Sequence, residues 1–150
     1  MIYSNVYFDT PAAAKLLSQL HSLCFSKAWS EKDFSDLLVL SGTTAQVIDL
    51  NETPSAFCLY QRAREDAEIL TLGVIPAARG QALGQLMLSH GIGHLKTAGV
   101  TRVFLEVSET NASARKLYKN SEFLEVGIRK NYYKEGDNRT HAIVMEKKVT

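Results

Sequence analysis

Residues 79–85 (Arg-Gly-Gln-Ala-Leu-Gly-Gln) are the part of this chain whose residue types and position indicate chemistry most directly. They follow an apolar segment that ends at Pro76, and they lead into an amphipathic segment that continues to residue 88. A loop of small residues between a strand and a helix exposes the unpaired backbone N–H groups of the first helical turn. Those groups bind anions, and phosphates in particular. The segment therefore predicts a site for a phosphate-bearing cofactor.

The same segment excludes the two common nucleotide-binding loops. A Walker-type loop ends in Gly-Lys-Ser/Thr, whereas Gly84 is followed here by Gln85 and Leu86. A dinucleotide-binding loop needs the pattern G-x-G-x-x-G, and Gly80 and Gly84 are the only glycines in this loop. The alternative without a cofactor is an ordinary strand-to-helix turn.

Other groups of reactive residues in the sequence do not form a complete site. His90 and His94 have the i, i+4 spacing of a metal-binding helix, but no Glu follows His90 and no third ligand is evident. A solvated helix face is the simpler interpretation of that pair. The Gly-x-Ser-x-Gly motif of serine hydrolases is absent. Cys24 and Cys58 lie far apart without a pairing pattern, which is typical of reduced, buried thiols. We therefore expect no metal ion.

Composition limits the class of protein. The 150 residues suit one domain, residues 1–150, and 45% hydrophobic with 22% charged residues is ordinary globular composition. A net charge of +1 provides no general attraction for nucleic acid or a membrane. The sequence has no apolar run near the ~20 residues of a membrane span and no signal peptide at its start. We therefore expect a cytoplasmic protein that binds neither nucleic acid nor membrane directly.

Hydrophobic spacing and turn residues predict the elements that must position the loop. Alternating apolar residues predict strands at residues 2–8, 44–50, 55–62, 68–75, 103–107, 123–130 and 141–147, the last two joined by residues 133–138. Helices are predicted after a Thr10-Pro11 cap, after a cap at residues 30–33, from the loop to Gly99, and over residues 111–120. The order β-α-α-β-β-β-α-β-α-β-β is that of an α/β domain with a mixed sheet.

The loop and the second half of the chain resemble a known family. The loop sequence Arg79-Gly80-Gln81-Ala82-Leu83-Gly84 is similar to the acetyl-CoA pyrophosphate loop of the GNAT superfamily of N-acetyltransferases. Five further segments resemble one group of this superfamily, the ribosomal-protein-alanine N-acetyltransferases. They are Ala28-Trp29-Ser30-Glu31-Lys32, Leu105-Glu106-Val107, Asn111-Ala112 with Leu117-Tyr118, Arg129-Lys130-Asn131-Tyr132-Tyr133, and residues 142–145. The resemblance covers nearly the whole chain. It implies the GNAT fold, a mixed and partly splayed central sheet flanked by helices, with acetyl-CoA as the donor.

The resemblance assigns the acetyl-CoA contacts to three parts of the chain. Backbone groups of Leu72, Gly73 and Val74 would pair with the pantetheine arm, and the Val74 N–H would donate to the thioester oxygen. The pyrophosphate would be held by the loop residues Arg79, Gly80, Gln81, Ala82, Leu83, Gly84 and Gln85. Asn111 can cap its helix without any further function, and by resemblance it also contacts CoA.

Two glutamates are candidates for the base that takes a proton from the acceptor amine. Glu106 interrupts an apolar strand and matches the catalytic glutamate of the family, although a solvated position on the outer face is its alternative. Glu68, near the start of the strand before the loop, is the rival base. An α-amino group of pKa ~7.8 is on the order of 15% neutral at pH 7, and a lysine of pKa ~10.4 is ~0.04% neutral. A carboxylate is therefore an adequate base for a protein N-terminus.

Aromatic residues supply the other candidates of the site. Tyr118 is the candidate general acid, because a phenol is protonated at neutral pH and can donate a proton to the departing thiolate. Its alternative is a core aromatic at helical spacing from Ala114. Trp29, Tyr132 and Tyr133 would line the groove for the acceptor, or else they pack against the core. The predicted reaction proceeds in a ternary complex, without a covalent acetyl-enzyme.

Two residues depart from the family pattern. Ala82 stands where the family usually has a glycine, so a positive φ at this residue would be strained. The preceding helix normally ends in Leu-Gly-Phe, and Glu122 stands at the position of that glycine. It therefore needs another cap or a strained backbone. Both departures concern local geometry more than chemistry.

By resemblance, the acceptor is a protein N-terminus, most specifically the alanine of a small-subunit ribosomal protein. Acetylation of a small amine or of a lysine is an alternative within the enzymes. A CoA-sensing module on the same fold, without turnover, is the alternative from another class. The sequence leaves the oligomeric state open, with a monomer favoured.

Overall fold

Strands and helices follow one another in the predicted order in the computed structural model, which describes residues 2–135 and 138–149 and, of residues 133–135 and 138, the backbone only. The strands are β1 (Tyr3–Phe8), β2 (Thr43–Leu50), β3 (Thr53–Ala63), β4 (Asp66–Val74), β5 (Arg102–Ser108), β6 (Leu124–Glu135) and β7 (Asn138–Lys148). The helices are α1 (Ala14–Cys24), α2 (Glu31–Leu38), α3 (Leu83–Thr97) and α4 (Ala112–Asn120). Within the described residues, no helix has the length and apolar character needed to cross a bilayer.

The strands form a single mixed sheet in the spatial order β1-β2-β3-β4-β5-β7-β6. β4 and β5 are parallel, and the other neighbouring pairs are antiparallel. The parallel step is the place where the chain crosses over through α3, because parallel neighbours cannot be joined by a tight turn. This mixed sheet with flanking helices confirms the predicted fold class.

Helices cover both faces of the sheet. Phe57 of β3 packs against α1, whereas Tyr60, on the opposite face of the same strand, packs against α3. Gly91 of α3 permits this approach, because an added Cβ would overlap the Tyr60 hydroxyl. Tyr60 donates a hydrogen bond to Gln46 Oε1 (2.7 Å), and the Gln46 amide donates to the Met87 carbonyl (3.0 Å). This buried network fixes α3 against β2 and β3.

Two helices begin at the capping residues that the sequence predicts. Ser30 and Asp33 form a capping box, in which Ser30 Oγ accepts from the Asp33 N–H (3.1 Å) and the Asp33 carboxylate accepts from the Ser30 N–H (2.8 Å). Asn111 Oδ1 accepts from the Ala114 N–H (3.2 Å) at the start of α4. The cap that we predicted at Asn111 is confirmed.

Thr10 occupies the predicted N-cap position, with Pro11 at the first helical position, but the helix that begins there is a short 3₁₀ turn. The Thr10 side chain makes no capping hydrogen bond, and Pro11 begins a 3₁₀ turn (Pro11–Ala13) that precedes α1. The Thr10 carbonyl, rather than its hydroxyl, accepts the Ala13 N–H (3.4 Å). The tighter turn satisfies this N–H group with backbone alone, so no side-chain acceptor is needed.

The last hairpin is longer than predicted. β6 continues to Glu135 and β7 begins at Asn138, so most of the predicted connection at residues 133–138 belongs to strands, and residues 136 and 137 lie outside the described residues. The pairing of β6 with β7 is irregular between Arg129 and Tyr133. A polar sequence suggested a loop here, but ladder hydrogen bonds join backbone groups and do not depend on side-chain polarity.

Candidate active site

The sheet parts between β4 and β5. Their pairing is confined to residues 66–69 of β4 and residues 102–105 of β5. Beyond that point, residues 71–74 still pair with β3 and residues 106–108 still pair with β7, so the two strands diverge. We call the opening between residues 70–74 and residues 106–108 the gap. It is the splayed sheet that the resemblance implied.

Backbone groups of β4 face the gap at Leu72 and Val74. The Ile75 N–H donates to the Ser55 carbonyl of β3 (2.9 Å), whereas the Val74 carbonyl accepts from Arg79 Nε (3.0 Å). In an antiparallel strand, the N–H and C=O of one residue point to the same side, and the side alternates along the chain. Val74 and Leu72 therefore present both backbone groups to the gap.

Gly73 has a packing role in β4. Its backbone faces β3, opposite Phe57, because the direction alternates with its two neighbours. A Cβ at this position would come within 2.7 Å of the Phe57 ring and 3.0 Å of Cys24 Sγ. The glycine therefore lets α1 and β4 approach each other, and the predicted contact between Gly73 and CoA stays a prediction.

The loop ends at a helix N-terminus without a side-chain cap. Ala82 is the N-cap of α3, and its side chain makes no capping hydrogen bond. Its φ is 60°, the left-handed conformation that we expected to be strained at an alanine. The first turn of α3 also contains no acidic residue. The N–H groups of this turn and the positive end of the helix dipole are therefore suited to an external anion.

A pocket of about 480 Å³ lies between this helix end and α4. From the predicted cofactor residues, its lining includes Val74, Arg79, Gly80, Ala82, Leu83, Gly84 and Gln85. Gly84 lets α3 and α4 approach, because an added Cβ would lie 3.0 Å from the Leu117 side chain. Lys116 of α4 brings a positive charge to the same pocket. Gln81 lies instead in a neighbouring cleft of about 890 Å³.

Arg79 connects the loop to α1. Its Nε donates to the Val74 carbonyl, and its charge acts on the Cys24 thiol of α1. Burial raises the pKa of this thiol, and the Arg79 charge opposes the rise by a smaller amount. Cys24 therefore stays protonated at neutral pH, and it packs beside the gap as a neutral group.

Glu106 lies at the edge of the gap and is held by Arg129. Arg129 Nη1 donates to both carboxylate oxygens of Glu106, at 2.8 and 3.1 Å. The guanidinium in turn lies over the Tyr132 ring, 4.0 Å from its centroid. The Glu106 side chain is 22% exposed, so it is neither the freely solvated residue of the alternative interpretation nor fully buried. The sequence did not single out Arg129 as a partner of this carboxylate.

Glu68 lies on the same face of the sheet as Glu106. It is paired with Phe104 in the parallel ladder, and Phe104 and Glu106 are two residues apart in β5. Burial raises the pKa of Glu68, the Glu106 charge raises it further, and Arg129 lowers it. The two glutamates and Arg129 therefore form one electrostatically coupled group beside the gap.

Tyr118 lies on the opposite face of β5 from Glu106. α4 packs on the face of Val103 and its partner Lys147, because Lys147 Nζ donates to the Ser121 carbonyl at the end of α4 (2.8 Å). Val103 and Glu106 are three residues apart and point to opposite faces. Tyr118 is 6% exposed and belongs to the core. The two candidates for proton transfer thus flank β5 from either side.

The connection between α1 and α2, residues 25–30, borders the same face as Glu106. Trp29 is half-buried there, stacked on the His21 ring with 5.1 Å between ring centroids. His21 is in turn 3.2 Å from the Thr71 hydroxyl of β4. The side chain of Tyr133, the third aromatic residue predicted for the acceptor groove, lies outside the described residues. Neither His21 nor Thr71 was found from the sequence, since their partners are distant along the chain.

His90 and His94 are not a simple solvated face. Tyr3 and Tyr7 of β1 lie against them: the Tyr3 hydroxyl is 3.2 Å from His90 Nε2, and the Tyr7 ring stacks on His94 at 3.9 Å between centroids. His94 is nonetheless exposed to solvent, as predicted. Among the described residues, no group of three His, Cys, Asp or Glu side chains could hold a metal ion.

Sequence comparisons relate the chain to acetyltransferases. The profile of the Acetyltransferase (GNAT) family matches residues 14–123. The [Ribosomal protein bS18]-alanine N-acetyltransferase of Escherichia coli K12 is 34% identical over 137 residues, which span 91% of this chain and 89% of that protein. The enzyme of the same name from Haemophilus influenzae is 41% identical over 90 residues, 59% of this chain and 61% of that protein.

Structural comparisons give the same relationship. The crystal structure of the ribosomal-protein-S18-alanine N-acetyltransferase from Escherichia coli superposes with a TM-score of 0.89 and 29% identity, covering 97% of this chain and 92% of the other. Ard1 from Thermoplasma volcanium superposes with a TM-score of 0.86 over 100% of this chain and 99% of its own, at 18% identity. This second similarity concerns the fold alone.

Proposed function

The chain belongs to the acetyltransferase (GNAT) family and is an N-acetyltransferase, and we propose that its acceptor is the N-terminal alanine of a small-subunit ribosomal protein. The relatives from Escherichia coli and Salmonella typhimurium are named for alanine acetylation of ribosomal protein bS18, and each alignment spans 91% of this chain. The observation that carries the proposal is the gap, which has an uncapped helix end suited to an anion on one side and two carboxylates on the other.

The residues beside the gap fit acetyl-CoA as the donor. The uncapped start of α3, with Gly80 at a φ of 80° and no neighbouring carboxylate in the first turn, suits the pyrophosphate. The backbone groups of Leu72 and Val74 suit the amides of the pantetheine arm, as an added strand would. When bound, acetyl-CoA supplies an activated acetyl thioester. The Val74 N–H is then suited to donate a hydrogen bond to the carbonyl oxygen.

Glu106 is the proposed base, and Glu68 is its neighbour. The acceptor amine arrives mostly as an ammonium ion. The two glutamates and the Arg129 guanidinium together leave a net negative charge, which attracts this ion. An α-amino group of pKa ~7.8 needs little help to lose its proton near neutral pH, unlike a lysine of pKa ~10.4. The half-buried pair therefore suits an N-terminus better than a lysine side chain.

Tyr118 is the proposed acid. Its phenol is protonated at neutral pH, and it would donate its proton to the thiolate on the α3 and α4 side of the sheet. Support for this role comes from its position across β5 from Glu106, which keeps the proton donor and the proton acceptor apart. Proton removal from the amine and proton delivery to the thiolate would then occur on different faces of the sheet.

A peptide panel tests the acceptor. The protein is incubated with acetyl-CoA and peptides that begin with Ala, Ser, Gly or Met, with an N-terminally blocked peptide that contains lysine, and with a polyamine. Mass spectrometry then locates the acetyl group, which we expect on the α-amino group of the Ala peptide. Acetylation of the lysine or polyamine alone would refute the proposed acceptor and leave the enzyme class intact. Tight binding of acetyl-CoA without transfer to any amine would identify a sensor instead.

A further inference from the structure

His21 lies at the centre of an aromatic cluster between α1 and the sheet. Its side chain is 3% exposed, and four rings surround it with centroid distances between 4.4 and 5.7 Å. These rings belong to Phe25, Trp29, Phe34 and Phe57. Two of them, Phe25 and Trp29, come from the connection between α1 and α2. We call residues 25–30 the Trp29 loop.

Both ring nitrogens of His21 have partners, which determine its protonation. Nδ1 accepts from the Trp29 N–H (3.0 Å), so it carries no proton. In the neutral ring the proton is therefore on Nε2, which donates to the Thr71 hydroxyl (3.2 Å). Burial lowers the pKa of His21 from 6.5 to about 4, so the ring is neutral at physiological pH. A protonated ring would lose the bond from the Trp29 backbone.

These two hydrogen bonds connect the Trp29 loop to the strand that borders the gap. Thr71 precedes Leu72, whose backbone faces the gap, and it lies three residues after Glu68. The hydrogen bond from the Trp29 loop to His21 is donated by the backbone N–H of Trp29. The position of the loop backbone therefore depends directly on His21. The connection spans 50 residues of sequence from His21 to Thr71 and 8 residues from His21 to Trp29.

We propose that His21 is a positioning residue for the acceptor: it holds the Trp29 loop at a fixed distance from β4, so that an acceptor N-terminus can pass between the loop and Glu106. The inference rests on the proposed function in taking the face of Glu106 as the acceptor side. The contacts proposed for the donor, which are the start of α3 and the backbone groups of Leu72 and Val74, belong to elements other than the Trp29 loop. A displaced loop should therefore affect the acceptor and leave the proposed donor contacts unchanged. The predicted signature is a rise in KM for the acceptor peptide without a rise in KM for acetyl-CoA.

Four variants isolate the hydrogen bond. Thr71→Val removes the hydroxyl and keeps the shape, and Thr71→Ser keeps the hydroxyl. His21→Asn keeps an acceptor near Nδ1 but cannot reach Thr71, and His94→Asn makes the same change at an exposed histidine. We expect Thr71→Val and His21→Asn to raise the acceptor KM about fivefold to tenfold, as the loss of one hydrogen bond does. Thr71→Ser and His94→Asn should remain within twofold of the wild type.

Fluorescence gives a readout that does not depend on turnover. Trp29 is the only tryptophan of the chain, so its emission reports the loop alone. We expect Thr71→Val and His21→Asn to shift this emission to longer wavelength and to increase quenching by acrylamide, with an unchanged circular dichroism spectrum. Emission identical to the wild type, or equal rises in both KM values, would overturn the inference. If no peptide is acetylated, the proposed function fails, and the quenching still decides whether His21 holds the loop.

Discussion

At the scale of single residues, the chemistry of this site depends on which carboxylate is free to take a proton. Arg129 donates to both oxygens of Glu106, while burial raises the pKa of the neighbouring Glu68. The Arg129 side chain is 53% exposed, so water screens the ion pair and an arriving ammonium group can compete for Glu106. We therefore regard the ion pair as the resting state of the proposed base, Glu106, with Glu68 as a second carboxylate nearby.

Substitution of the two glutamates distinguishes their roles. We expect Glu106→Gln to lower kcat/KM by ~10²-fold or more, because general-base catalysis contributes that much, and Glu68→Gln to lower it by less than ~10-fold. Glu125→Gln is the matched control, since Glu125 is paired with Arg115 of α4, away from the gap. Steady-state rates with an Ala peptide provide the measurement. The reverse order of the two effects would identify Glu68 as the main base.

The buried, neutral His21 should make the stability of the fold depend on pH. Because its pKa falls from 6.5 to about 4 on folding, the unfolded chain binds the proton more readily between these values. The free energy of unfolding is therefore highest above pH 6.5, and about 3 kcal/mol of it should be lost as the pH falls to 4. Glu68 acts in the opposite direction, because burial raises its pKa and the folded state binds its proton more readily.

The pH dependence is best measured as a difference between two proteins. Urea unfolding of the wild type and of His21→Asn, at several pH values between 7 and 4, removes the contribution of Glu68 and of other groups. The wild type should lose stability more steeply with acid than the variant does. Parallel curves would contradict the assignment of a neutral, buried His21.

Among the helices, α3 packs closely on the sheet at Gly91 and not at Gly93. Gly91 faces Tyr60, where an added Cβ would overlap the hydroxyl, whereas no atom lies within 4 Å of a Cβ added at Gly93. Both glycines lie within α3, and their positions in the sequence alone do not distinguish them. The distinction follows from the sheet, since only one face of the helix meets it.

This difference predicts opposite effects on stability for the same substitution. Gly91→Ala should destabilise the protein by about 2 kcal/mol or more through overpacking and disturbance of the Tyr60 hydrogen bond. Gly93→Ala should stabilise it by up to ~1 kcal/mol, the difference in helix propensity. Urea midpoints measure both, and each variant serves as the control for the other. Equal shifts in the two variants would show that α3 does not pack as described.

For the domain as a unit, the gap lies between the proposed donor side and the proposed acceptor side. The pocket between the loop and α4 belongs to the face of α3, whereas Glu68, Glu106 and the Trp29 loop belong to the face of α1. The divergence of β4 from β5 is what joins these sides. An acetyl group held at the gap could therefore be approached from the face opposite the rest of the donor.

Donor binding should raise the stability of the whole domain. A ligand present at 100 times its Kd stabilises a protein by about 2.7 kcal/mol, which corresponds to a rise in Tm of roughly 5–10 °C for a chain of this size. We expect this from acetyl-CoA in differential scanning fluorimetry. S-acetyl-pantetheine, which lacks the pyrophosphate, is the control and should give a much smaller shift. Equal shifts from both compounds would exclude an anion site at the start of α3.

Much of the fold could be predicted from the sequence because the signals are local. The capping box at Ser30 and Asp33, the cap at Asn111 and the alternation in β5 each act within a few residues, and the structure confirms them. The two departures from the family pattern indicated where the backbone would be strained. Ala82 has a φ of 60°, and Glu122, in place of the usual glycine, has a φ of 69°. The predicted length of the last hairpin was wrong, and Thr10 stands at its predicted N-cap position without a side-chain hydrogen bond. Backbone hydrogen bonds satisfy the polar groups at both places.

The residues alone predicted the order of elements, a loop suited to an anion, and the candidates Glu106 and Tyr118. Three features became visible only in the folded chain: Arg129 binds Glu106 across 23 residues, His21 reaches Thr71 across 50, and β4 and β5 part after four paired residues. The physical reason is that helix caps and strand alternation arise from neighbours along the chain. Contacts between distant segments depend instead on sheet order, register and burial, which exist only once the sheet has formed.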